Sequence, residues 1–177
     1  RNIEKIMLNC SICITTCNEE KTIRLLLEAI LKQKLSRVAI KEIFVVASGC
    51  TDNTEALVEK YAHMDKRIKL LIQKEREGKA SAINLFLSVA KGDIFILASA
   101  DTVLEMDAVN NLVKPFTDPI IGMTGGRPIP INNTDNFIGF TVNLLWRMHH
   151  RVALEHPKMG ELVAFRNIVK MIPHDTA

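Results

Sequence analysis

The sequence predicts an α/β fold, a three-layer α/β/α sandwich with a mostly parallel central sheet. Three observations predict it. Apolar, β-rich runs recur at Leu8–Thr15, Ile43–Ala47, Ile68–Ile72 and Ile94–Ala98, and the second and fourth are uninterrupted, as strands covered on both faces are. Segments with helical spacing and cap residues separate them. The chain of 177 residues, 47% hydrophobic and 24% charged, has enough length and apolar content for one real core, so residues 1–177 read as one domain.

The elements follow in order. Leu8–Thr15 is the first strand. Thr16–Glu20 is a loop and helix start, with Asn18 an N-cap candidate and Glu19 and Glu20 in the first turn, where the helix dipole favours acids. That helix continues through Leu25, Leu26, Ala29 and Ile30 to about Lys34. After the strand Ile43–Ala47, Gly49 permits a tight turn and Thr51 or Asp52 caps a helix over Glu55–Tyr61. Strand Ile68–Ile72 leads into a polar, basic loop, Gln73–Gly78. Lys79 then begins a helix whose Ala82, Ile83, Leu85, Phe86, Val89 and Ala90 recur at helical spacing and predict one buried face. Lys91-Gly92-Asp93 stops it and turns the chain.

The strand Ile94–Ala98 runs out into Ser99-Ala100-Asp101-Thr102. In open α/β sheets ligands bind beyond the carboxyl ends of the strands, which makes Asp101 a site candidate. Met106–Phe116 reads as a short helix, Ile120–Thr124 as a strand, Asn136–Glu155 as the longest helix and Gly160–Arg166 as the last strand. Two readings stand for the long helix. One is core packing with a solvated basic face. The other is an interfacial helix, because Trp146 beside Arg147 and Arg151 suits a membrane boundary.

Several classes are excluded or disfavoured. A net charge of +3 with dispersed basic residues makes no case for nucleic acid. No stretch reaches the roughly 18 uncharged apolar residues that span a bilayer, and no signal-peptide pattern is present. The first residue is Arg1 rather than Met, so the chain reads as part of a longer protein whose targeting segments need not be in it. Cys10, Cys13 and Cys17 have clip-like spacing, but a strand places Cys10 and Cys13 on opposite faces, so reduced thiols are expected rather than a metal cluster. His149 and His150 point about 100° apart on a helix, which disfavours a metal pair. Gly78-Lys79 lacks Walker-loop spacing, and no G-x-G-x-x-G marks a dinucleotide site.

Gly78-Lys79 followed by Ala82 and Asn84, then Ala90-x-Gly92-Asp93, then an apolar strand into Ser99-Ala100-Asp101, resembles the family 2 glycosyltransferases, inverting enzymes with the A-type nucleotide-diphospho-sugar transferase fold. The strand end usually reads Asp-x-Asp there. Here Ser99 replaces the first Asp, and Asp101 matches the last, whose carboxylate binds the divalent metal. Thr15, Cys17, Asn18 and Glu19 resemble the Pro-x-Tyr-Asn-Glu segment that borders the nucleotide base. Ala47 and Ser48 stand where a later turn usually carries two Asp, and Asp52 matches the third. Lys79 stands at a position that carries a cation beside the donor. The resemblance thus implies donor binding by Thr15, Asn18, Glu19, Ser48, Lys79, Ser99, Ala100 and Asp101. It implies Mg2+ or Mn2+ on Asp101. It implies an acceptor side at Arg127, Gly160 and Glu161.

Residues 1–102 would form the nucleotide-sugar-binding half and 103–177 an acceptor-side half, incomplete at its C-terminus. Gly160 to Arg166 resembles the family's Gly-x-x-x-Ala-x-Arg segment, and the acidic motif with the catalytic base is expected after Ala177. The implied reaction is metal-assisted transfer of a sugar from a nucleotide-diphosphate donor to an acceptor hydroxyl with inversion. Its implied partners are a nucleotide-diphosphate sugar and a glycan or lipid-linked acceptor, with membrane contact through a further C-terminal region. The implied setting is cell-envelope or polysaccharide biosynthesis, in the cytoplasm or at the cytoplasmic face of the membrane. The alternative is a non-catalytic nucleotide-binding or interaction module, since Cys17, Ala47, Ser48 and Ser99 remove polar or stacking contacts. A phosphoacceptor receiver domain needs paired acids after the first strand, and Glu19-Glu20 lie at a helix start instead.

Overall fold

The computed structural model describes residues 7–129, 137–155 and 161–173. The elements are β1 (Leu8–Thr16), α1 (Ile23–Leu31), β2 (Val38–Ser48), α2 (Thr54–Met64), β3 (Ile68–Gln73), α3 (Lys79–Val89), β4 (Ile94–Ser99), α4 (Ala108–Val113), a 3-10 turn (Lys114–Thr117), β5 (Met123–Gly125), α5 (Phe137–Glu155) and β6 (Leu162–Arg166). They form one six-stranded sheet in the order β3-β2-β1-β4-β6-β5. Strands β1 to β4 are mutually parallel, and β6 runs antiparallel to both β4 and β5.

Strand alternation distributes the core over two faces. Cys10, Ile12 and Ile14 of β1, with Ile43, Val45, Ile94 and Ile96, pack beneath Leu26, Leu27 and Ile30 of α1, Val58 of α2 and Val109 of α4. Cys13, Phe44, Val46, Phe95, Leu97 and Phe165 pack beneath α3 through Ala82, Ile83, Phe86 and Leu87. This is the three-layer sandwich expected, and Cys10 and Cys13 do face opposite layers. On the α3 face, edge-to-face rings link β2, α3, β4 and β6: Phe44 to Phe86 at 5.7 Å, Phe86 to Phe95 at 5.1 Å and Phe95 to Phe165 at 5.9 Å.

Some boundaries moved for local reasons. The β2 strand starts at Val38, five residues before the apolar run, because Lys41 is absorbed as a bulge: Cys10 pairs with Ile40 but Ser11 with Glu42. The α1 helix begins at Ile23, and Asn18 sits at a φ of +58°, so Asn18 is not its cap. The β5 strand is only Met123–Gly125, because Asp118 holds Ile120 and Ile121 in a turn through bonds of 2.9 and 3.2 Å to their N–H groups. The expected Met106–Phe116 helix is shorter and tightens into a 3-10 turn at Pro115. For α5, core packing fails: Phe137, Ile138, Phe140, Leu144, Leu145, Met148 and Val152 are exposed. Arg166, at the end of β6, is structural. It donates to the carbonyls of Phe116, Ile121 and Asp118 at 2.8–3.0 Å and lies over the Phe116 ring.

A polar knot closes the amino edge of the sheet. The Ser11 hydroxyl donates to Glu42 at 2.8 Å and accepts from the Gly92 N–H at 2.9 Å. Glu42 also accepts from the Lys91 N–H and from Lys69 Nζ, each at 2.9 Å. The knot therefore spans β1, β2, β3 and the entry to β4. It also explains Gly92: the chain passes so close to β1 that a Cβ there would lie 2.6 Å from Ser11 N. Gly92→Ala is expected to lower stability by about 1–3 kcal/mol through this overpacking, read as a lower urea midpoint; an unchanged midpoint would refute the close-approach argument.

Desolvation pushes the Glu42 carboxyl up, but the bonds from Lys69, Lys91 N–H and Ser11 outweigh it and hold the group below its ordinary 4.5. A carboxyl depressed in the folded state contributes stability above its unfolded value and loses it as pH falls through the lower folded value. Glu42→Gln should therefore flatten the acid limb of the stability profile below about pH 4.5. Denaturant midpoints across that limb check this, and parallel profiles for the two proteins would count against it.

Candidate active site

The chain leaves β1 toward β2 and β3 on one side, then returns to place β4 on the other. Neighbouring loops therefore diverge at the carboxyl ends of β1 and β4, which opens a crevice there. Register sets its floor. Thr15 pairs with Ser99 on one side and Val46 on the other, and Ser48 pairs with Gln73. By alternation Thr15 and Ser99 face the α3 layer. Lys79 opens α3 on that side, and its charge acts on Cys13, lowering a thiol that burial pushes far up.

The three loops above this floor are stapled together. The Asn18 carboxamide oxygen accepts from the Thr51 N–H at 2.7 Å. Glu19 N–H donates to Thr54 Oγ1 at 2.9 Å, and the Glu19 carboxylate accepts from the Thr22 hydroxyl at 2.6 Å. Glu20 accepts from the backbone and side chain of Asn53, each at 3.1 Å. Asp52 accepts from Glu20 N–H at 3.1 Å, Thr54 N–H at 3.0 Å and Thr54 Oγ1 at 2.5 Å. Desolvation pushes the Asp52 carboxyl up, but these bonds prevail and hold it below its ordinary value. The N-cap of α2 is Asn53 rather than Asp52; Asp52, one residue earlier, accepts from the first helical N–H and ties a second loop to it.

Ser48 joins the third loop: its hydroxyl donates to the Glu75 carbonyl and accepts from the Glu77 N–H, both at 3.2 Å. Gly49, at a φ of +62°, lets that loop pass so near that a Cβ would sit 2.7 Å from Arg76 N. Cys17 and Cys50 lie across the same seam, each thiol 3.9 Å from the carbonyl just before the other cysteine. All four cysteines are free, and burial pushes Cys10 up to about 12.

The expected donor residues therefore split. Thr15, Ser99, Ala100, Asp101 and Lys79 gather around the crevice floor and its rim. Asn18, Glu19 and Ser48 are at the same edge, but their side chains are engaged in holding loops. Ala100 is buried, and a turn closed by Thr102 N–H on Ser99 O lifts Asp101 into solvent. No described group bonds to the Asp101 carboxylate.

On the other flank, Ser99 N–H donates to the Glu161 carbonyl at 3.1 Å, and Gly126 N–H to the Leu162 carbonyl at 2.8 Å. These bonds bring Glu161 beside the end of β4 and Arg127 next to it in the sheet. Gly160 lies outside the described residues, as do Pro130 to Asn136. Among the described residues no three His, Cys, Asp or Glu side chains cluster as a metal site. A divalent ion on Asp101 would thus need oxygens from a ligand.

Sequence reasoning missed Thr16 and Gln73. Both are buried at strand ends, and Thr16 Oγ1 and Gln73 Oε1 have no hydrogen-bond partner among the described residues. The Gln73 amide is oriented by Glu77 at 3.1 Å and Ser81 at 2.8 Å. A polar residue ending a buried strand was the available signal, but Gln73 reads as loop because polar residues follow it. A groove of about 530 Å³ at the opposite, amino edge, lined by Asn9, Lys41, Glu42, Arg67 and Lys91, surrounds the Lys69–Glu42 pair of the knot and the Arg67–Asp65 pair beside it, and lies away from this site.

A sheet wound to both sides of β1, a lone acid past the end of β4 and a cation opening α3 define an A-type nucleotide-diphospho-sugar transferase fold. The chain belongs to glycosyl transferase family 2, whose family model matches residues 11–166. It is 32% identical over 123 residues to a poly-beta-1,6-N-acetyl-D-glucosamine synthase of Staphylococcus aureus, covering 69% of this chain and 29% of that protein. It is 29% identical over 116 residues to the glycosyltransferase GlyG of Streptococcus pneumoniae, covering 63% and 38%. The fold matches a mannosyltransferase of Pyrobaculum calidifontis solved with GDP-Man and Mn2+, with a TM-score of 0.72, 26% identity and coverage of 94% of this chain and 48% of that one. The chain thus spans about a third of the length of these curated relatives.

The loop staple carries a prediction. Asp52→Ala removes three accepted bonds, one of them from the first N–H of α2, and should cost about 1–2 kcal/mol. Thermal unfolding measures it; a change inside experimental error would mean the loops hold without the carboxylate.

Proposed function

We propose that this chain is the donor-binding domain of an enzyme that transfers a sugar from a nucleotide diphosphate to an acceptor hydroxyl, with inversion and with Mg2+ or Mn2+. The observation that carries the proposal is Asp101. It stands exposed and without a described partner at the carboxyl end of β4, beside Ser99 and Glu161. Family membership supports the metal-binding role proposed for that position.

The leaving diphosphate accumulates negative charge, and its neutralisation is what the site must supply. A divalent ion held by the Asp101 carboxylate would supply most of it. Hard oxygen ligands suit Mg2+ or Mn2+, and Mn2+ accompanies GDP-Man in the mannosyltransferase. Lys79 brings a second positive charge to the rim. Thr15 and Ser99 offer hydroxyls to the donor from the floor. Thr16 and Gln73 add buried acceptor oxygens that lack partners. The acceptor approaches along the flank of Arg127 and Glu161 and loses its proton to a carboxylate. In the family's pattern that base follows Arg166 in an acidic motif, and none of the described residues is assigned to it.

The acceptor is a growing glycan or a lipid-linked one, and the domain works at the cytoplasmic face of a membrane, in cell-envelope or polysaccharide biosynthesis. The named relative in Staphylococcus aureus supports the polysaccharide setting. No helix among the described residues is long and apolar enough to cross a membrane, so membrane contact would be made at the surface or by further segments.

A non-catalytic nucleotide-binding or interaction module is the second reading. The engagement of Asn18, Glu19 and Ser48 in loop bonds favours it. One titration separates the two. Uridine and guanosine diphosphates and their sugars are titrated calorimetrically into the chain with and without Mn2+. Mn2+-dependent binding of one donor is expected, and Asp101→Ala should weaken it at least about tenfold, the loss of one metal-ligand charge. Equal binding with and without Asp101 would remove the metal assignment. Absence of donor binding in folded protein would favour the interaction module.

A further inference from the structure

Helix α5 presents an exposed apolar stripe: Phe140, Leu144 and Met148, at i, i+4 and i+8, are 57%, 47% and 57% exposed. Arg147 and Arg151 share a face with Leu144 and Met148, and together with Arg127 they line a groove of about 490 Å³. The described ion pairs involve Arg24, Lys32, Arg67 and Lys69, so none of these three guanidinium groups has a described carboxylate partner. Three cations without a described carboxylate partner, beside apolar side chains, complement one kind of ligand: a phosphate attached to hydrocarbon. Guanidinium forks match phosphate oxygens, and the stripe can bury part of an acyl chain.

The groove's place in the sheet gives this consequence. Strand β5 is antiparallel to β6, which is antiparallel to β4, so β5 runs in the same direction as β4. Arg127, two residues past the end of β5, therefore emerges at the same edge as Asp101.

We propose that the groove of Arg127, Arg147 and Arg151 binds the phosphate headgroup of a lipid in a bilayer surface, with Leu144 and Met148 dipping among the chains. This docks the carboxyl edge of the sheet toward the membrane. The inference rests on the membrane-face location proposed above and is independent of the donor reading.

Co-sedimentation with vesicles tests it, using phosphatidylcholine alone against equal parts phosphatidylcholine and phosphatidic acid. The chain should bind the acidic vesicles and not the neutral ones. Arg147→Gln with Arg151→Gln should weaken binding at least about tenfold, since each basic residue near an anionic surface contributes severalfold. Leu144→Gln should weaken it too, while glycerol phosphate should not compete at equal phosphate concentration. These positions are exposed, so circular dichroism should be unchanged. Mn2+-dependent nucleotide binding should also match the parent, so that a failure of the donor reading shows separately. Equal binding to both vesicles, or an unaffected double variant, would overturn the proposal. So would competition by glycerol phosphate, which would make the groove a free-phosphate site.

Discussion

The structure depends on the position of β1. It is paired in parallel with β2 on one side and β4 on the other, so every other element is placed relative to it. Its alternating side chains feed both core layers, with Cys10, Ile12 and Ile14 in one and Cys13 in the other. Because the chain winds away from β1 in both directions, its carboxyl end is where loops must part. The crevice is therefore a consequence of strand order rather than of any site residue.

The two edges of the sheet are held by different means. At the amino edge Ser11 and Glu42 bind backbone N–H groups and Lys69 in a compact knot across four strands. At the carboxyl edge short polar side chains reach from loop to loop, Asn18 to Thr51, Thr54 to Glu19 and Asp52 to Glu20. Each such bond satisfies a backbone donor that strand ends leave open. The outcome is a rim whose shape is set by side chains that the family pattern assigns to the ligand. Holding loops and binding a donor are compatible roles, since a pre-set rim lowers the ordering cost of binding.

The strands were legible because burial on both faces leaves unbroken apolar runs, and Ile94–Ala98 is the clearest of them. The site's strand-end acid was legible for the same reason, since Asp101 follows such a run. Asn18 misled because an Asn before two acids has the composition of a helix start, while its side chain instead accepts a bond from a loop 33 residues on. Gly92 reads as a turn, yet what requires it is the nearness of Ser11, a contact no local pattern reports. The bulge at Lys41 was hidden because two charges interrupt the run that defines β2. Helix α5 has the apolar content of a core helix, and composition alone does not distinguish a face packed inside the domain from one left outside it.

The missing acids bear on how the proposed reaction would be ordered. Where the family places further carboxylates, this chain has Ala47, Ser48 and Ser99. Carboxylates hold a divalent ion but repel a diphosphate. With no cluster of three acids there among the described residues and Lys79 at the rim, the edge would be weak as a free-metal site and less repulsive to an anionic donor. Metal and diphosphate would then bind most favourably together, each supplying what the other lacks. Such coupling is reciprocal, so the donor raises metal affinity by the same factor as the metal raises donor affinity. On the proposed reading such a site would take its metal with its substrate, and the loop staple that fixes the rim would matter more to it than to one with a full set of carboxylates.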